Sequence, residues 1–73
     1  MIAFEHAGRR ERLLINLTQR IREEFERLPC LRVSRREAAQ FWALDEEEGE
    51  TVLARLLAAG FLARGGDGRY RMA

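Results

Sequence analysis

The chain contains no lysine, so its 13 basic residues are all arginine, set against 12 acidic residues for a formal net charge of +1. So even a balance selects no partner by overall charge, although the planar guanidinium fork suits phosphates and carboxylates. Codon bias toward arginine is the simpler source of that usage. Cysteine is limited to Cys30 and histidine to His6. Neither an internal disulfide nor a zinc set of three or four nitrogen and sulfur ligands can be built from them. No apolar run approaches the roughly 20 residues needed to span a bilayer, and no basic start leads into an apolar stretch. These scarcities exclude a disulfide-stapled scaffold and a bilayer-spanning helix. They also make the cytoplasm the expected location, with no metal, cofactor or membrane partner.

What remains is a chain of 73 residues, 47% hydrophobic and 34% charged, the composition of one small globular domain. A core of this size gives marginal stability, so self-association, most simply as a homodimer, is an expectation. Residues 1–8 lack periodicity and read as an amino-terminal arm, with Ile2 and Phe4 available to pack back. Residues 9–73 read as the domain.

Over residues 9–28, Leu14, Leu17, Ile21, Phe25 and Leu28 recur at spacings of three and four, one stripe of a helix that the single proline, Pro29, ends. Ile15 falls off that stripe, either as an isolated exposed aliphatic or as a helix-to-helix dimer contact. Leu31 and Val33 alternate with polar neighbours, which predicts a short strand over residues 30–33.

Two capping boxes follow. Ser34 with Glu37 starts a helix running to about Trp42, and Asp45 with Glu48 starts another, eleven residues on (34 to 45). The second helix carries Val52, Leu53, Leu56 and Leu57 toward the core and ends at Gly60, placed for a left-handed cap. Gly49 lies on its inward side, where Ala38 and Ala39 of the preceding helix offer small surfaces for close approach. Phe41 and Trp42 read as an aromatic anchor for the core rather than a base-stacking platform. Residues 61–64 and 69–72 then form two strands around Gly65-Gly66-Asp67-Gly68, with Tyr70 and Met72 on one face and Arg69 and Arg71 on the other.

The stretch SRREAAQFWALDEEEGETVLARLLAAGFLARGGDGRYRM resembles the winged helix-turn-helix domains of bacterial transcription regulators. It covers slightly more than half of the chain. The resemblance implies a mainly α fold with a small β-hairpin: three helices, one short strand and a two-stranded wing. In that family the second helix of the pair enters the major groove of DNA and the wing touches the backbone or minor groove. Carried over residue by residue, this implies groove-facing roles for Glu46, Glu47, Glu50, Thr51 and Arg55. It gives phosphate contacts to Arg35, Arg36, Arg64, Arg69 and Arg71.

The chain departs from that pattern in one respect, since five of the six residues 45–50 are acidic and carboxylates repel phosphates. Asp45 and Glu48 are explained by the cap, and acids at a helix start offset its macrodipole. The alternative reading is a protein-interaction or dimerisation module that presents Glu46, Glu47 and Glu50, with Ile15, to a basic partner or a second copy. Those acids lack the alternating spacing of a calcium loop. Residues 65–68 have no following helix to cradle a phosphate. Ser34 is engaged by its cap with no histidine beside it, so catalysis is not expected.

Overall fold

The computed structural model describes the backbone of residues 2–73 and the side chains of residues 8–73. Three helices, α1 (Ile2–Arg27), α2 (Arg35–Phe41) and α3 (Glu46–Ala58), combine with three short strands, β1 (Arg32–Val33), β2 (Leu62–Arg64) and β3 (Tyr70–Met72). The strands make one antiparallel sheet in the order β1-β3-β2. The architecture is therefore mainly helical with a small sheet.

Helix α1 begins at Ile2, so the arm expected over residues 1–8 is helical from its second residue. Among the residues whose side chains are described, 8–13 are all exposed and Leu14 is the first that is buried. The packing expected of Ile2 and Phe4 lies outside the described residues.

Both capping boxes form as the sequence predicts. The Ser34 hydroxyl accepts from the Glu37 amide at 3.1 Å, and the Glu37 carboxylate accepts from the Ser34 amide at 2.9 Å. At α3 the corresponding bonds of Asp45 and Glu48 are 2.7 and 3.1 Å. Each box satisfies amides that a helix start leaves unpaired.

The core joins Leu14, Ile21 and Phe25 of α1 to Ala38 of α2, Val52, Leu53 and Leu56 of α3, and Val33 and Leu62 of the sheet. Phe25 and Val52 are completely buried, each stabilising the fold by roughly 1.5–3 kcal/mol. A Cβ at Gly49 would lie 3.7 Å from Cβ of Ala39, so small residues do meet where α3 crosses α2.

Three apolar positions expected inside lie at the surface: Leu28 is 45% exposed, Phe41 55% and Leu57 39%. Leu28 falls beyond the last turn of α1. Leu57 lies on the far side of Leu53 from the Val52–Leu56 line, one step past the edge of the buried stripe. Phe41 and Trp42 are neighbours on a helix end and cannot both point inward. Trp42 takes the core side, its ring 5.7 Å from Phe25, while Phe41 covers it at 5.0 Å.

In the β2–β3 hairpin the Gly68 amide donates to the Gly65 carbonyl at 3.0 Å, and the Gly65 amide to the Arg69 carbonyl at 2.9 Å. Gly68 takes φ +80°, a conformation that glycine adopts without strain. This turn sets the hairpin register and lays β3 along β1, next to the start of α2.

Candidate functional site

The start of α2, the first turn of α3 and the hairpin surround an open cleft of about 620 Å³. Its walls include Ser34, Arg35, Arg36, Glu46, Arg64 and Tyr70. Capping places Arg35 and Arg36 at its mouth, because the cap fixes the direction in which α2 leaves β1. The end of β2 brings Arg64 to the other side, its guanidinium 5.6 Å from the centre of the Tyr70 ring. Three of the expected phosphate-binding arginines are thus brought together. Among the described residues no carboxylate lies within 4.0 Å of Arg36 or Arg64.

Other predicted residues lie elsewhere or are engaged. Arg35 approaches Glu50 at 3.6 Å, and Arg69 approaches Glu37 at 3.6 Å. Glu37 is held below its ordinary value, first by the hydrogen bond from the Ser34 amide and further by the charge of Arg69. Thr51 and Arg55 lie on the outward face of α3 with Glu47, Glu50, Ala54 and Ala58. There Arg55 forks onto Glu11 of α1 at 2.8 and 2.9 Å. That bidentate contact lowers the Glu11 pKa and raises that of Arg55. Glu47 accepts from Arg10 of α1 at 3.0 Å.

The acidic segment is therefore divided among several tasks. Asp45 and Glu48 cap α3, Glu47 and Glu50 meet arginines of other helices, and Glu46 borders the cleft. Ile15 is 53% exposed, and it stands on α1 rather than at the cleft. Arg71 also stands apart from the cleft, on the outer face of the sheet.

Sequence reasoning missed Tyr70 as a wall of the cleft and Arg10 and Glu11 as partners of α3. It also missed Arg32, which lies directly across from Arg71. The alternation of Leu31, Arg32 and Val33 already pointed Arg32 outward. Its neighbour on the next strand required the register.

No family model matches the chain, and the curated proteins and solved structures give no significant match. Among the described residues no group of three or more metal-ligating side chains is clustered. No helix there is long and apolar enough to cross a membrane.

Proposed function

We propose that the chain is a winged-helix protein of the bacterial transcription-regulator type, binding duplex DNA in the cytoplasm mainly through the phosphate backbone. The β2–β3 hairpin is the wing and α3 is the helix offered to the groove. The observation carrying this reading is the cleft that Arg35 lines together with Arg36 and Arg64, the last two free of carboxylate partners among the described residues. Guanidinium forks gathered around a concave surface suit phosphates.

The outward face of α3 favours backbone binding over base reading. Its exposed or half-exposed groups are Glu47, Glu50, Thr51, Ala54, Arg55 and Ala58. Glutamate can accept from a cytosine amino group, but Arg55, the residue best suited to guanine, is engaged by Glu11. Sequence discrimination is accordingly weak.

Titration of a mixed-sequence duplex at several salt concentrations tests the reading. Wild-type affinity should fall steeply with salt, and Arg36→Gln and Arg64→Gln should each reduce the slope by about 0.9. Absence of binding at low salt would overturn the proposal.

A second reading rests on the same outward face. Leu57 is 39% exposed, with exposed Ala54 and Ala58 nearby and Glu46, Glu47 and Glu50 toward the helix start. Small apolar groups beside acids suit a basic protein segment or a second copy of the chain.

A further inference from the structure

The strand register creates a like-charge pair that the fold leaves uncompensated. Arg32 of β1 is the direct partner of Arg71 of β3, and Arg71 in turn faces Ala63 of β2. Directly paired residues of an antiparallel ladder share one face of the sheet. Val33 and Leu62, adjacent in sequence to Arg32 and Ala63, are 4% and 2% exposed and mark the inner face. Arg32, Arg71 and Ala63 therefore form a row across the outer face, and both arginines are exposed.

Two cations opposed on adjacent strands destabilise a sheet, with Cβ atoms about 5 Å apart. Five arginines of the chain, Arg10, Arg27, Arg35, Arg55 and Arg69, each have a carboxylate within 4.0 Å. Among the described residues Arg32 and Arg71 have none. The third position of the row is an alanine, so no large side chain covers the pair from β2.

We propose that this outer sheet face is a second phosphate-backbone contact for nucleic acid, separate from the cleft, in which Arg32 and Arg71 hold phosphate between their forks. Charge complementarity selects the occupant, since a polyanion relieves the repulsion that the ladder imposes. Adjacent guanidinium groups also match phosphate oxygens bidentately. The inference deepens the DNA-binding reading and rests on it. It assigns Arg32 a role that the recognition-helix and wing pattern does not contain.

The test uses the intact chain, a short mixed-sequence duplex and three variants: Arg32→Gln/Arg71→Gln, Arg32→Glu, and Arg36→Gln/Arg64→Gln. The sheet-face double variant should lower the slope of log K against log salt by about 1.8, two contacts at about 0.9 each. Arg32→Glu should weaken binding as well. Without DNA it should melt at higher temperature than wild type, because a cross-strand ion pair replaces the repulsion.

An unchanged slope in the sheet-face double variant, with a slope lowered by about 1.8 in the Arg36→Gln/Arg64→Gln variant, would overturn this inference and leave the cleft reading intact. A wild type that binds no duplex at low salt would overturn both. A melting temperature lowered by Arg32→Glu would remove the premise that the pair is strained.

Discussion

Ala43 and Gly60 occupy the same place in two helix endings, and the comparison isolates what one methyl group costs. After α2, the Leu44 amide donates to the Ala39 carbonyl at 2.8 Å and the Ala43 amide to Gln40 at 3.4 Å. After α3, the Phe61 amide donates to Leu56 and the Gly60 amide to Leu57, both at 3.0 Å. Both are Schellman endings, which need a left-handed residue just past the cap. Ala43 supplies it at φ 53° and Gly60 at φ 77°. A side chain in that region costs about 1–2 kcal/mol, and glycine's extra unfolded-state freedom returns part of the difference. Ala43→Gly should therefore stabilise the protein by about 0.5–1 kcal/mol, and Gly60→Ala should destabilise it by about 1 kcal/mol. Thermal unfolding reads both, since about 1 kcal/mol shifts the midpoint of a domain this size by about 4–8 °C. Shifts of the same sign would refute the comparison. The pair also marks a limit of sequence reading. Gly60 announces its cap, whereas alanine carries no signal for positive φ, so in the sequence only the second capping box marks the turn after α2.

At the scale of elements, the starts of α2 and α3 and the places of the three strands were legible, and the pairing of the sheet was not. Ser-x-x-Glu and Asp-x-x-Glu are local, reciprocal patterns, and both boxes form with the expected atoms. Alternation and the glycine-rich turn locate the strands, but β1 pairs with a strand almost forty residues later (33 to 70). No local pattern encodes that register, which is why the Arg32–Arg71 pair and the full outline of the cleft stayed hidden. The first box also makes a pH prediction. Hydrogen bonding from the Ser34 amide, assisted by Arg69, holds the Glu37 pKa below its ordinary 4.5. A carboxylate with a depressed folded-state pKa contributes stability that is complete above its unfolded value. That stability is lost as pH falls through the folded value. Glu37→Gln preserves a side chain that can accept from Ser34 but removes the titrating charge. Urea unfolding at a series of pH values should show wild type losing more stability than Glu37→Gln on acidification below about 4.5. Parallel curves would place the pH dependence elsewhere.

At the scale of the whole molecule, nearly balanced charge is arranged so that arginines of one element meet glutamates of another. Arg10 joins α1 to Glu47 of α3, Glu11 of α1 joins Arg55, and Arg35 joins α2 to Glu50. These contacts are exposed and solvent screens them, so a polyanion can compete for their arginines. The acids of α3 should consequently differ in their effect on DNA binding according to which arginine each restrains. Glu50 restrains Arg35, a wall of the cleft, whereas Glu47 restrains Arg10, which is not. On the backbone-binding reading, Glu50→Gln frees Arg35 for phosphate and should raise the salt slope by about 0.9. Glu46→Gln should tighten binding by removing a carboxylate from the cleft itself. Glu47→Gln should do little. The protein-interaction reading makes the opposite claim: neutralising Glu46, Glu47 and Glu50 together leaves DNA affinity unchanged and abolishes capture of a basic partner. Duplex titrations of the three single variants and the triple variant decide between them. Equal effects at Glu47 and Glu50 would mean that the acids act only through overall charge, and position-specific competition for Arg35 would then be wrong.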